Sequence, residues 1–132
     1  METKNIKQWV DINATADQIY DALMTSEGHS AFTKSEAKID PNVGGEFTAW
    51  DGYIQGKNLE LERGKKIIQE WRSDEDGWPE DHFSKVTFKF KDGADGKTRI
   101  LFWQSGIPAE CVDNIEQGWK DYYWTPLKEY FK

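Results

Sequence analysis

The sequence predicts a single α+β domain, residues 1–132, in which a curved antiparallel sheet of six to seven strands wraps around one long C-terminal helix. Three observations predict this fold. An alternating segment and a helical segment open the chain, strand-like segments joined by short turns fill residues 38–105, and an aromatic-rich amphipathic segment ends it. Successive strands joined by short turns pair antiparallel, because parallel neighbours need long crossover connections.

The chain is predicted to begin with one strand and two short helices. The segment NIKQWVDI (5–12) alternates apolar and polar residues, which is typical of a strand. Thr15 followed by Gln18 is a capping-box pattern and predicts a helix start. Gly28 should end or interrupt this helix, and residues 30–32 should add a second short helical turn. The apolar stripe of the first helix is Ile19, Tyr20 and Leu23.

The middle of the chain is predicted to be a meander of strands. Gly56 interrupts one strand segment and predicts a bulge or bend there. The main strand segments cover 44–50, 53–62, 65–72, 83–91 and 97–105, and turns fall at 51–52, 63–64 and 92–96.

The last helix should be the element that fills the sheet. Gly106 and Pro108 precede it, Gly118 should let its backbone approach the sheet closely, and Pro126 should bend its axis near Tyr122. Its predicted core face comprises Ile115, Gly118, Trp119, Tyr122, Tyr123, Pro126, Leu127 and Tyr130.

Alternation along the strands predicts which side chains face this helix. Gln69 and Gln104 interrupt otherwise apolar rows, so we expect them at the solvated rim of the sheet, or else paired with a tyrosine hydroxyl, water or a ligand. The outward or loop positions include Trp50, Trp78, Trp103 and Trp124. The inward positions are Phe47, Ala49, Ile54, Leu59, Leu61, Ile67, Gln69, Trp71, Val86, Phe88, Phe90, Ile100, Phe102 and Gln104.

Composition excludes several classes of partner. The net charge of −7 argues against nucleic acid and against an anionic membrane surface, since both attract basic proteins. No apolar run approaches the roughly 20 residues that cross a bilayer, and METKNIKQWV lacks a signal-peptide pattern. The single cysteine, Cys111, excludes an internal disulfide and fits a reducing cytoplasm.

No catalytic or metal-binding pattern stands out. Cys111 near the start of the last helix could pair with His29 or His82, but a buried cysteine filling a gap between helix and sheet is the favoured interpretation. The strand carboxylates Glu46, Glu60 and Glu70 alternate outward, away from any apolar pocket. No HExxH, CxxC or phosphate-binding glycine motif occurs. We therefore predict that the chain is not an enzyme and that it binds neither a metal ion nor a cofactor.

Four motifs resemble one protein family when taken together at their spacings. They are GGEFTAWDGYIQG (44–56), KKIIQEWR (65–72), WPEDHF (78–83) and GIPAE with QGWKDYYWTPLKEYF (106–110 and 117–131). They resemble the C-terminal domain of the activator of heat-shock protein 90 ATPase. The resemblance implies a helix-grip, START-like (SRPBCC) fold. Nothing in the sequence corresponds to the N-terminal domain of the eukaryotic co-chaperone, so ATPase activation does not follow from the resemblance alone.

Three functions stay open at this point. The first is association with a heat-shock protein 90-type chaperone, with Trp78, Pro79 and His82 as candidate contacts. The alternative for this loop is a structural plug, in which Trp78 and Pro79 close one end of the sheet. The second is binding of a small apolar ligand in a cavity, unless the same rings pack solidly together. The third is a cyclase or hydrolase activity of the same superfamily. The candidate cavity lining is Phe47, Trp71, Phe88, Phe102, Gln104, Trp119, Tyr122 and Tyr123.

Overall fold

A seven-stranded antiparallel sheet, in the order β1-β7-β6-β5-β4-β3-β2, packs one face against the C-terminal helix in the computed structural model, which describes all 132 residues. The α+β fold with two short helices after the first strand is confirmed. The strands are β1 Thr3–Ile12, β2 Lys38–Ile39, β3 Glu46–Ala49, β4 Ile54–Glu62, β5 Lys66–Ser73, β6 Ser84–Asp92 and β7 Thr98–Pro108. The helices are α1 Ala16–Met24, α2 Ser26–Thr33, α3 Val112–Trp119 and α4 Thr125–Tyr130, and a π-helical turn, Lys120–Trp124, joins the last two.

The two short helices share one capping residue. The predicted capping box at Thr15 is present, with the backbone N–H of Gln18 donating to the Thr15 hydroxyl at 3.2 Å. Gly28 does not end the helix, which is a correction to the sequence prediction. The extended backbone of Thr25 ends α1, and its hydroxyl accepts from the Gly28 N–H at 3.0 Å to begin α2. A side chain at Gly28 would lie 2.8 Å from the Ala22 backbone, so glycine lets α2 pack on α1.

The bulge in β4 lies three residues beyond its predicted place. The register with β5 shifts between Asn58 and Glu60, which leaves Leu59 half-buried rather than facing the core. Gly56 is needed for a different reason. A Cβ atom there would overlap the Glu70 carbonyl oxygen and the Phe47 ring, so only glycine fits where that ring crosses β4.

The C-terminal helix faces the sheet differently from the α-helical prediction. In the π-helical turn, residues five apart lie one above the other, and the rings of Trp119 and Trp124 accordingly stack at 5.6 Å with 25° between their planes. Trp124 is therefore buried, at 5% exposed, and its predicted outward position was wrong. Tyr122 turns out to solvent instead, at 55% exposed. Pro126 lies in the first turn of α4, immediately after this irregularity.

The two glutamines in the inner rows are buried rather than at the rim. Gln104 accepts a hydrogen bond from the Trp119 indole N–H and donates to the Ser84 hydroxyl, both at 2.8 Å. Gln69 donates to the Asn58 side chain at 3.0 Å. The rim prediction was wrong because their partners come from neighbouring strands and from the helix, which the alternation of one strand does not reveal.

The helices are all too short or too polar to cross a lipid bilayer. The structure also contains no group of three or more His, Cys, Asp and Glu side chains that could hold a metal ion.

Candidate functional site

A cleft of about 420 Å³ opens between the C-terminal helix and one end of the sheet. At this end, β4 begins and β5 ends. Eight of its 12 lining residues are hydrophobic, and only one, Glu75, carries a charge. This combination of apolar walls and few polar groups is typical of small-molecule sites. The cleft is lined by Trp50, Tyr53, Ile54, Trp71, Ser73, Glu75, Asn114, Ile115, Gly118, Trp119, Tyr122 and Tyr123.

The mouth of the cleft is built by a strained turn and by one glycine. Trp50 has a left-handed backbone with φ 53°, which is costly for a bulky residue. Its ring meets the Tyr122 ring edge to face at 5.3 Å across the opening. Gly118 lies below, and a Cβ atom there would touch only the Tyr122 ring at 3.8 Å. Gly118 therefore leaves cleft volume open, and the prediction that it brings helix and sheet together was wrong.

One carboxylate marks the polar side of the cleft. Glu75 accepts a hydrogen bond from the Ser73 hydroxyl at 2.9 Å and another from the Asn114 amide at 3.0 Å. These two donors fix the carboxylate on an otherwise aromatic wall. A ligand with an apolar body and a hydrogen-bond donor would match this arrangement.

Cys111 lies near Glu75, in surroundings that favour the protonated thiol at neutral pH. Burial, followed by the nearby Glu75 carboxylate, raises the pKa of the thiol to about 11. The side chain is 2% exposed, and its thiol contacts the Asp76 carbonyl at 3.6 Å. The structure thus places Cys111 as the buried residue that the favoured interpretation describes, without either histidine as a partner.

The predicted lining residues separate into three depths. Trp71, Trp119, Tyr122 and Tyr123 line the cleft. Phe47 and Phe88 border a deeper void of about 20 Å³, which is close to the size of one water molecule.

Beneath that void the aromatic rings pack solidly. Phe102 and Gln104 border neither space, are fully buried, and support Trp119 from the sheet, with the Phe102 and Trp119 rings 4.4 Å apart. Both alternatives left open by the sequence therefore occur, a filled core below and an open cleft above.

Sequence reasoning did not assign eight of the twelve lining residues to the cavity, and four of the eight show the different reasons. Asn114 lies one helical turn before Gly118, so helix spacing alone could have found it. Trp50 and Tyr53 flank the predicted turn, but only the left-handed backbone aims them at the helix. Glu75 belongs to a polar loop whose path no periodicity defines.

The loop between β5 and β6 closes one end of the sheet. Trp78 is 6% exposed, its indole N–H donates to the His82 carbonyl at 2.8 Å, and its ring packs 5.7 Å from Trp71. The His82 Nε2 atom is 2.6 Å from the Gly106 carbonyl oxygen. Trp78 is therefore a buried plug, as the second of the two interpretations of this loop describes, and it is not exposed as a contact for a partner. Pro79 and His82 remain partly exposed.

A buried histidine lies between the first helices and the C-terminal helix. His29 is 5% exposed, and its Nε2 atom is 3.1 Å from the Tyr123 hydroxyl. Its Nδ1 atom has no hydrogen-bond partner. Burial lowers the pKa of His29 to about 4, so the ring is neutral at physiological pH.

We expect the His29 ring to make the fold acid-sensitive. Between about pH 6.5 and 4 the unfolded chain takes up a proton at this residue and the folded chain does not, so the free energy of unfolding falls as the pH falls. At low pH the free energy of unfolding is lower by about 3 kcal/mol in total. Above pH 6.5 protonation of His29 no longer affects it. Urea unfolding at several pH values measures it. His29→Gln should flatten this part of the profile, whereas an unchanged slope would contradict the assignment. His82→Gln is the matched control.

Comparison with known proteins identifies the family. The sequence model described as "Activator of Hsp90 ATPase homolog 1-like protein" matches residues 13–132. The chain belongs to this family. It is 34% identical over 115 residues to the human activator of 90 kDa heat shock protein ATPase homolog 1, covering 87% of this chain and 33% of that protein. It is also 34% identical over 131 residues to the Dictyostelium discoideum homolog, covering 98% and 33%. The chain thus spans about a third of the length of these relatives.

Two solved structures share the fold of this chain. An HSP90 activator from Plasmodium falciparum superimposes with a TM-score of 0.83 at 21% identity, covering 90% of this chain and 89% of that one. The Aha1 dimer from Colwellia psychrerythraea gives a TM-score of 0.75 at 17% identity, covering 94% and 93%. The helix-grip fold expected from the resemblance is confirmed.

Proposed function

We propose that this chain binds a 90 kDa heat-shock-type chaperone and regulates its ATPase without hydrolysing ATP itself. The observation that supports the proposal most is the family match over residues 13–132, together with relatives at 34% identity that are named as activators of this ATPase. The chemistry of the candidate site agrees with a binding role. Its one charged group, the Glu75 carboxylate, is held by two hydrogen-bond donors.

The test is a titration of the chain against the purified heat-shock protein 90-type chaperone of the same organism. Saturable binding in calorimetry and a rise in ATP turnover are the expected results, and the chain alone should hydrolyse no ATP. Binding without any change in turnover would contradict the regulatory part. Absence of binding would contradict the proposal as a whole.

A second candidate function is the binding of a small, largely apolar ligand in the cleft. The aromatic walls and the single fixed carboxylate of Glu75 favour it. Native mass spectrometry of the purified chain should then show a bound molecule. A Cβ atom at Gly118 would meet only the Tyr122 ring, so the side chain of Gly118→Leu should extend into the cleft. This variant should abolish the binding while the fold persists. Equal occupancy in the wild type and in this variant would exclude the cleft as the site.

We further propose a cytoplasmic location. It is supported by the cysteine content, since a single cysteine provides no internal disulfide of the kind that stabilises many secreted domains.

A further inference from the structure

The outer face of the sheet carries exposed tryptophan beside lysine. Strands β1, β7 and β6 are neighbours, and their outward side chains form rows across the sheet. Trp9, at 65% exposed, pairs with Leu101, and Lys7 pairs with Trp103. On the other side of β7, Lys89 faces Leu101 and its Nζ atom lies 5.5 Å from the Trp103 ring centre. We call this the Trp–Lys face, defined by Lys7, Trp9, Lys89, Lys91, Leu101 and Trp103.

The face is basic although the protein is acidic. Strands β1, β6 and β7 contain six basic and two acidic residues, a net charge of +4, whereas the whole chain carries −7. The rest of the chain therefore carries −11. One of the two acids, Asp11, is already bound by the Arg99 guanidinium at 2.8 and 3.3 Å. No carboxylate lies within 4.0 Å of Lys7, Lys89 or Lys91.

On the Trp–Lys face, the exposed Trp9 ring has a groove on either side of it. Shallow grooves of about 480 and 580 Å³ flank the Trp9–Leu101 pair on its two sides. An exposed tryptophan with unpaired lysines around it matches the composition of interface hot spots, where a ring is buried at the centre and charges at the rim speed association.

Two other occupants fit less well. A second copy of the chain, placed face to face by a twofold axis, would bring the same unpaired lysines together, and like charges oppose that contact. A single-stranded nucleic acid would stack on the tryptophans, but the net charge of −11 elsewhere repels a long polyanion. An acidic protein surface of limited extent matches the face without meeting that repulsion.

We propose that the Trp–Lys face is the docking surface for the chaperone, and that it takes an acidic chaperone surface with an apolar depression for Trp9. The inference rests on the proposed function, since it names the surface through which that binding occurs. Trp9 fills the depression and loses its contact with water, while Lys7, Lys89 and Lys91 pair with carboxylates around it.

The test compares surface variants in calorimetric titrations with the purified chaperone. Trp9→Ala should weaken binding about tenfold or more, as hot-spot tryptophans do. Lys89→Glu should weaken it as well and should reduce its dependence on salt. The matched controls lie on the C-terminal helix, where Tyr130→Ala removes a ring that is 50% exposed and Lys120→Glu reverses an exposed charge. Both controls should bind as the wild type does.

The possible outcomes distinguish the docking surface from the proposed function. If the wild type binds and all four variants bind equally, the docking surface is wrong and the proposed function stands. If the wild type does not bind, both fail. Trp9-dependent binding of a single-stranded oligonucleotide, or a concentration-dependent dimer that Trp9→Ala abolishes, would overturn the docking assignment in favour of those occupants.

Discussion

Replacing Trp119 with alanine should lower the free energy of unfolding by about 3–5 kcal/mol, the range for large-to-small changes in a tightly packed core. The side chain is 3% exposed and lies at the centre of the aromatic core. Its ring is 4.4 Å from that of Phe102 and 4.6 Å from that of Tyr123. Surrounding rings cannot collapse into the gap, because the sheet on one side and the helix backbone on the other hold them apart.

Part of the free energy of unfolding that is lost on replacing Trp119 comes from a hydrogen bond, and this part can be measured separately. Without the indole N–H, the buried Gln104 carbonyl oxygen loses its donor, which costs about 1–3 kcal/mol. Trp119→Phe retains most of the ring packing and should show mainly this smaller cost. Urea unfolding of both variants gives the two values. A loss well below 1 kcal/mol for Trp119→Ala would mean that the ring does not fill the core.

Periodicity predicted the sheet and the position of the C-terminal helix because those features depend on local patterns. The alternation in 5–12 and the capping box at Thr15 each reflect an interaction within a few residues of chain. The bulge at Leu59 and the pairing of Gln69 with Asn58 depend instead on the neighbouring strand. Such details depend on tertiary contacts, which a single strand's pattern does not contain.

The candidate site likewise contains some residues that local patterns predict and others that depend on tertiary contacts. Trp71 and Trp119 were predicted from strand and helix spacing, and they form the cleft wall. Glu75 and Trp50 lie in a loop and a turn whose backbone directions have no periodic signal, so the polar side and the mouth of the cleft were missed. The polar loop around Trp78 left both a surface contact and a structural plug open, and only the folded path of the loop shows that the ring is buried against Trp71.

The cleft and the Trp–Lys face do not compete for space. The cleft lies between the sheet and the C-terminal helix, whereas the Trp–Lys face lies on the outer side of β1, β6 and β7. No residue belongs to both. A ligand in the cleft therefore leaves the proposed docking surface open, and variants at the two places report on separate functions.

The π-helical turn makes a sharp prediction about two neighbouring aromatic residues. In a regular α-helix with Trp119 facing the sheet, Tyr122 would face inward and Trp124 outward; the π-helical turn exchanges them. Trp124→Ala should therefore cost about 3–5 kcal/mol, because the ring stacks on Trp119 and its indole N–H donates to Gln8 at 2.7 Å. Tyr122→Ala removes a largely exposed ring and should cost under about 1 kcal/mol.

Urea unfolding of the two variants side by side decides between the two helix geometries. The order of the two losses is the informative quantity, since it does not depend on the absolute scale of the packing energy. If Tyr122→Ala were the more damaging change, the helix would be α-helical through this segment and Trp124 would lie at the surface. If Trp124→Ala is the more damaging change, the extra residue of the π-helical turn is what places both tryptophans in one core. In that turn, side chains five residues apart lie on the same face, whereas in an α-helix side chains four apart do so.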